Sequence, residues 1–291
     1  MGNRLKMTTS VHTNTAAMIA LQNLNRTNDR LGDVQNRVST GLKVQGARDN
    51  AAIWAVAEGQ RADVKALESV TNSLNRASSL ADVSLAAGEQ IVELIGQLRQ
   101  HATAASDPSI SAASRTAYNN DFQALLESIT SFADNAAFDG SNILNNSLLA
   151  DLNFLANSSA SETIPLSRQN LTLAGLGLAA DPAATPAVAA PTLATAAGAA
   201  DALTRVETAL ASATARMAEL GAESKRIDQH LVFVSKLADS LEAGIGNLVD
   251  ADLAKESARL QALQVQQQLG AQALSIANSA PQIVLSLFRN G

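Results

Sequence analysis

The sequence predicts a mainly α protein, a long antiparallel helical coiled-coil rod with a small β-hairpin region. Three observations carry that expectation. The first is an apolar stripe from Leu203 to Leu248: Leu203, Val206, Leu210, Ala213, Met217, Leu220, Ser224, Ile227, Leu231, Val234, Ala238, Leu241, Ile245 and Leu248. The spacing alternates three and four, and only Ser224 is polar. A 3.5-residue repeat keeps one narrow face of a helix on a partner. At about 1.5 Å per residue, such a helix extends roughly 70 Å. The second observation is a matching stripe in the first half: Leu67, Val70, Leu74, Ala77, Ala81, Ser84, Gly88, Ile91, Ile95 and Leu98. Its middle is small, so a partner helix can approach closely there. The third is a change of period after Asp139-Gly140, where short alternating runs replace the helical spacing.

Composition agrees with slim helices packed side by side. The 291 residues include only 3% aromatics, which are the large contributors to a thick core. Net charge is −6, so nothing here neutralises phosphates and nucleic-acid binding is not expected. There is no cysteine, which removes disulfides, thiolate chemistry and Cys-ligated metal sites and suits a chain working outside the cell. Met1–Ser10 carries Arg4 and Lys6, and no apolar core segment follows, so no cleaved secretory signal is expected. No stretch is apolar and long enough to predict a membrane span.

The elements follow in order. Thr13 to about Thr40 is helical in pattern, with Leu21, Leu24, Leu31, Val34 and Val38 on one side. Gly41 and Gly46 interrupt it. Asp49 is the expected N-cap of the next helix, about Ala51 to Ala105, because its carboxylate can accept orphan backbone N–H groups. Asp107-Pro108 stops that helix. A shorter helix is predicted from about Ser111 to Asn135, with Phe122, Leu125, Leu126, Ile129 and Phe132 inward. Asp139-Gly140 is a turn signal, and the runs Leu148–Leu155 and Thr163–Leu173 read as strands. Residues 179–200 hold Pro182, Pro186 and Pro191 amid Ala and Thr, a linker composition that needs no fixed structure. The long returning helix is expected from about Asp201. The pattern thus divides the chain into 1–44, 45–178, 179–200, 201–249 and 250–291.

The C-terminal segment stands apart. From Gln261 to Phe288 no residue is charged, and Gln261, Gln264, Gln266, Gln267, Gln268, Gln272 and Asn278 fill much of it. Leu263, Ala277 and Val284 sit at multiples of seven residues, with Gly270 between the first two. A solvent-facing helix normally carries charge on its outer side. A neutral, amide-rich helix suits burial among other protein helices, where amides hydrogen-bond without the desolvation cost of a charge. The N-terminal zone, with its uncharged run Ala16–Ala20, is a natural partner.

Several motifs resemble bacterial flagellins. Arg37-Val38-Ser39-Thr40-Gly41-Leu42-Lys43-Val44, followed by Ala47-Arg48-Asp49-Asn50-Ala51-Ala52, is similar to the family's N-terminal signature. Phe138-Asp139-Gly140-Ser141-Asn142-Ile143-Leu144 resembles its turn before a β-hairpin. Leu220-Gly221-Ala222, Asp250-Ala251-Asp252-Leu253-Ala254, and Ala277-Asn278 with Pro281-Gln282 and Leu285 resemble its C-terminal patterns. The matches span nearly the whole chain in order. The resemblance implies a structural subunit of a motility filament, without cofactor, metal or catalytic site. Residues 1–44 and 250–291 are then the two parts of an inner filament-core domain, and the linker 179–200 stands where outer domains are often inserted. The implied partners are identical subunits, the flagellar export apparatus with an export chaperone, and hook-associated and cap proteins. The implied location is extracellular, after export in the unfolded state. Assembly contacts are expected at Leu24, Leu31, Arg37, Ser39, Gly41, Arg48, Asp49, Asp250, Asp252, Leu263, Ala277, Asn278, Pro281 and Val284, with a hinge at Gly41 and Gly46. The terminal helices are expected to be loosely ordered until neighbours cover them. The pattern begins best at Met7. Gln97 stands where many members carry an Arg used by an innate immune receptor, so that recognition is not carried over.

Other functions find little support in the residues. His12, His101 and His230 lack ligand spacing. Asp250 and Asp252, two apart, would point to different sides of a helix. Gly175-Leu176-Gly177 lacks the full glycine pattern of a dinucleotide loop. Trp54, the single Trp, reads as a packing anchor. A hook–filament junction protein shares similar ends but usually has a Pro where Ala51-Ala52 stands. A cytoplasmic signalling coiled coil conflicts with the uncharged C-terminal segment.

Overall fold

The computed structural model describes residues 13–184 and 188–289, with side chains described as far as residue 279. Among these residues the chain forms five helices and one two-stranded sheet: α1 (Thr15–Thr40), α2 (Ala51–Ala105), α3 (Ala112–Asn135), β1 (Leu152–Leu155), β2 (Thr163–Leu166), α4 (Ala196–Val249) and α5 (Leu253–Arg289). The chain divides into two compact units, one comprising residues up to Arg61 together with those from Leu241, the other Ala62–Ser240. These boundaries fall inside α2 and α4.

In the Ala62–Ser240 unit, all ten positions of the first seam are buried, from Leu67 to Leu98. Within this unit every seam position of α4 is buried or half-buried. The two helices run antiparallel. Ser78 donates from Oγ to Asp228 Oδ1 (3.3 Å), Gly88 packs on Met217, and Arg99 pairs with Glu207 (3.1 Å). Partner numbers fall as the α2 numbers rise, as an antiparallel seam requires. Buried Ser84 satisfies its hydroxyl internally, donating to Leu80 O (2.7 Å).

Helix α3 begins at the N-cap Ser111, whose hydroxyl accepts from Ser114 N. It buries Phe122, Leu126, Ile129 and Ala133, while Leu125 is half-buried. Phe132, expected inward, is exposed: the buried positions 122, 126, 129 and 133 define the packed stripe, and residue 132 lies beside it. Buried Arg115 holds the junction between α2 and α3, donating to Ala105 O and to Asp107 O (3.0 Å for the latter).

The Phe138–Ser141 turn is closed by two reciprocal backbone hydrogen bonds of 2.9 Å. Asp139 and Gly140 both have positive φ, 50° and 73°, the combination of a type I′ hairpin turn. Strands β1 and β2 pair antiparallel with Leu152 opposite Leu166 and Leu155 opposite Thr163. They are shorter than the alternating runs predicted. Beyond β2, Gln169 N and Leu171 N donate to the carbonyls of Ile143 and Leu144 (both 2.8 Å).

The described parts of the proline-rich stretch, residues 179–184 and 188–200, make more tertiary contacts than their composition suggests. Pro191 and Leu193 are buried. Asn119 Oδ1 accepts from Leu193 N (2.8 Å) and Thr192 Oγ1 (3.0 Å), and Gln123 donates to Pro191 O (3.1 Å). The Arg205 guanidinium donates to the carbonyls of Gly177, Ala179 and Ala189. Helix α4 accordingly starts at Ala196, five residues before the expected Asp201. Distant side chains thus add to the segment's own reciprocal backbone pair between Asp181 and Val188.

In the other unit, α1 and α5 also run antiparallel. Asn14 Nδ2 donates to Ala277 O (2.7 Å), Gln267 Nε2 to Asn28 Oδ1 (2.8 Å), and Arg37 pairs with Glu256 (3.7 Å). Val34 is buried and Leu24, Leu31 and Val38 half-buried, whereas Leu21 stays exposed at the margin of the stripe.

Candidate assembly surfaces

The terminal unit is built around two loops that meet. Gly41 ends α1 in the left-handed conformation (φ 74°), and its N–H donates to Arg37 O (2.9 Å). Its carbonyl then accepts from Ala251 N (2.7 Å), and Lys43 N and Val44 N donate to Val249 O (2.7 and 3.3 Å). Leu42 and Asp250 form an isolated antiparallel bridge. Lys43 Nζ donates to Asn247 O (3.0 Å). The break between α1 and α2 and the break between α4 and α5 therefore satisfy each other's backbone groups.

Two acidic expectations change. Asp49 does not cap α2; its Oδ2 accepts from Gln45 N (2.8 Å) and Gly46 N (3.3 Å), closing the loop ahead of the helix. The cap is Asn50, whose Oδ1 accepts from Ile53 N (3.1 Å). Asp250 and Asp252 are not helical residues on different faces; both lie in the break between α4 and α5. Asp252 caps α5, accepting at Oδ1 from Lys255 N (3.1 Å). Asp250 turns its carboxylate back on Gly246, where an added Cβ would lie 2.7 Å from Oδ2.

Along the α1–α5 pair, Leu24 packs on Gly270, with Cδ1 3.2 Å from where a Cβ would stand. Glu256 is buried and lies near both Arg37 and Arg259 (3.7 and 3.6 Å). A cleft beside this cluster is lined by Arg30, Asp33, Arg37, Arg259 and buried Leu263, among others. Leu31 is half-buried, Ser39 bonds only locally to Asn36 O (2.9 Å), and Arg48 and Asn278 are exposed. The side chains of Pro281 and Val284 lie outside the described residues, although their backbone is part of α5. His12 also lies outside them.

One feature of α5 escaped the sequence reading. Val265, Leu269 and Ile276 are exposed, at 54, 58 and 70%. At about 100° per residue they fall within roughly 40° of one another, on the side away from Leu263 and Gly270. Their spacing of four and seven was the available signal. On α1, Met18 and Ile19 are likewise exposed. The terminal pair is thus apolar along its seam and apolar again outside it.

Among the described residues, no group of three His, Cys, Asp or Glu is arranged to hold a metal ion, and no helix is long and apolar enough to cross a membrane. His101 stacks at a tilt on Tyr118 (5.9 Å), and His230 Nε2 hydrogen-bonds Ala156 O (2.7 Å).

Comparison with known proteins places these features in a family. Two family models match: "Bacterial flagellin N-terminal helical region" over residues 11–148 and "Bacterial flagellin C-terminal helical region" over residues 203–288. The chain is 49% identical to Flagellin FljO of Caulobacter vibrioides over 280 residues, covering 96% of this chain and 98% of the relative. It is 51% identical to Flagellin FljN of the same organism, with the same coverage. A flagellin of Brucella melitensis is 39% identical over 283 residues, covering 96% and 99%. Among solved structures, Bacillus cereus flagellin aligns with a TM-score of 0.48 and 20% identity, covering 55% of this chain and 87% of that one. The two terminal helical regions, in the right order and at nearly full length in the relatives, show that this chain belongs to the bacterial flagellin family.

Proposed function

We propose that the α1–α5 pair is the surface on which this flagellin polymerises. As a member of its family the chain is a structural subunit of the flagellar filament. The observation that carries the assignment is the outer ridge of α5. Val265, Leu269 and Ile276 face away from α1 on a segment without a charge between Gln261 and Phe288. Exposed apolar surface of this kind on a helix lacking a charged face is covered by other helices in an assembly. Neighbouring copies supply them, and burial of the ridge offsets the cost of ordering the termini.

The reading extends to the residues that set the geometry. Gly41 and Gly46 flank the loop tied to Val249 and Ala251, and they let α1 adjust its direction when neighbours dock. The subunit leaves the cell unfolded through the flagellar export apparatus, held beforehand by an export chaperone, and meets hook-associated and cap proteins at the filament ends. The absence of cysteine suits that route.

Deleting Gln261–Gly291 tests the assignment. The truncated chain should remain soluble and helical by circular dichroism but fail to sediment as filaments under conditions that polymerise the full chain. Normal filaments from the truncated chain would overturn it.

A further inference from the structure

We propose that residues 167–179 form a strap that opens and closes on α4 as one unit, with Arg216 as its latch. Closed, the strap seats Leu171 over the small middle of the α2–α4 seam. This device lies within the Ala62–Ser240 unit and is independent of the filament reading.

Side chains of α4 fasten the strap. Glu223 accepts from Ser167 N (2.9 Å) and Ser167 Oγ (2.6 Å). Arg216 donates to Asn170 O and to Gly175 O (3.2 Å for the latter). Arg205 donates to Gly177 O (2.7 Å) and Ala179 O (2.8 Å). Partner numbers fall as strap numbers rise, so the segment lies antiparallel along α4. Among the described residues, its backbone hydrogen bonds to the rest of the chain are those from Gln169 N and Leu171 N to Ile143 and Leu144.

The middle of the strap is closed on itself. Asn170 Oδ1 accepts from Thr172 N (3.2 Å) and Thr172 Oγ1 (2.6 Å), and Thr172 Oγ1 accepts from Gly175 N (3.1 Å). Leu176 N donates to Thr172 O (2.9 Å) and Leu178 N to Leu173 O (2.7 Å). A Cβ on Gly175 would lie 2.5 Å from Asn170 O, so the turn has no room for a side chain there. The segment therefore moves as a body, and the Arg216 fork holds it at Asn170 and Gly175 together.

Leu171, Leu176 and Leu178 are buried beneath the strap. Leu171 Cδ1 lies 3.5 Å from where a Cβ of Gly88 would stand, in the space that Met217 also occupies. Latch and covered seam position are thus neighbours in sequence, Arg216 and Met217. Opening the strap breaks few backbone hydrogen bonds, whereas α2 and α4 keep their own ladders. Segments with that balance open at lower free energy than the helices they cover.

Trypsin reads the opening. Among the described residues, Arg168 is the one Lys or Arg between Ala62 and Ser240 that lies outside a helix, and Gln169 beside it is buried. The unpolymerised full-length chain is digested briefly under native conditions, and the fragments are identified by mass spectrometry. Between Ala62 and Ser240 the first cut should fall after Arg168. Arg216→Ala should raise the rate of that cut at least about fivefold, because cleavage follows the population of the open form. Cuts within α2 and α4 and the melting temperature should barely change. Arg216→Lys, with a point donor in place of the fork, should fall between parent and Arg216→Ala. Arg99→Ala, which removes the exposed ion pair with Glu207, should leave the Arg168 rate as it is. An unchanged rate in Arg216→Ala, or an equal rise at the helical sites, would overturn the latch. A first cut inside α2 or α4 would overturn the strap. No filament is needed, so none of these outcomes bears on the α1–α5 assignment.

Discussion

Met217 of α4 lies so close to Gly88 of α2 that a methyl group on the glycine would come within 2.7 Å of its Cε, and closer still to its sulphur. This is the small middle of the first seam, used by the largest unbranched side chain of the second. The relationship explains why Ala81, Ser84 and Gly88 occupy the centre of α2, where larger residues flank them.

Gly88→Leu should destabilise the protein by about 1–3 kcal/mol through overpacking. Met217→Ala in the same chain should recover part of that loss by vacating the space. A double-mutant cycle followed by urea denaturation measures the coupling. Strictly additive effects would show that the two residues do not share the site.

Asp252 caps helix α5, its carboxylate accepting from Lys255 N. Asp252→Ala should cost about 1 kcal/mol and speed amide exchange in the first turn of α5, with Asp252→Asn close to the parent. Hydrogen exchange at Lys255 and Glu256 reads the effect locally. Unchanged protection would place the cap elsewhere.

Gly41 holds φ at 74° where α1 ends. Gly41→Ala should cost about 1–2 kcal/mol, since a Cβ is strained in the left-handed region. An added Cβ there meets no atom within 4 Å, so strain is the whole effect and no clash contributes. Thermal unfolding of the variant checks it. A melting curve identical to the parent's would refute the strain argument.

Asp107, just after α2, accepts at Oδ1 from Ser109 N (2.8 Å). The Ser109 backbone and side chain hold its carboxyl below the ordinary aspartate value of 3.8, with a smaller contribution from Arg115. A depressed carboxylate stabilises the fold above its unfolded value, and that contribution fades as pH falls through the lower folded value. An NMR titration should place the Asp107 midpoint below that of an unstructured aspartate. In Asp107→Asn, the corresponding part of the acid-side loss of stability should vanish. A midpoint at or above the ordinary value would contradict the geometry.

The sequence by itself determined the helices and most of their inward positions, with Leu21 and Phe132 as exceptions. The α2 seam from Leu67 to Leu98 was legible residue by residue, because a 3.5-residue period is a property of the chain alone. The Asp139-Gly140 turn was legible for a similar local reason, since few residue pairs accept two positive φ values. The flagellin motifs were legible too, as was the lack of charge in the last helix. Tertiary structure decided whatever depended on a distant partner. Asp49 and Asn50 are equally good caps by type, and only the position of the Gln45–Gly46 loop made Asp49 a loop-closing residue. Residues 179–200 read as an unstructured linker until Asn119, Gln123 and Arg205 met their backbone. Asp250 and Asp252 read as helical until the pairing of Leu42 with Asp250 opened a break. For residues 179–200 and for Asp250 a group far along the chain selected among hydrogen-bonding choices that were locally nearly equal, whereas Asp49 closes on Gln45 and Gly46, only four and three residues away.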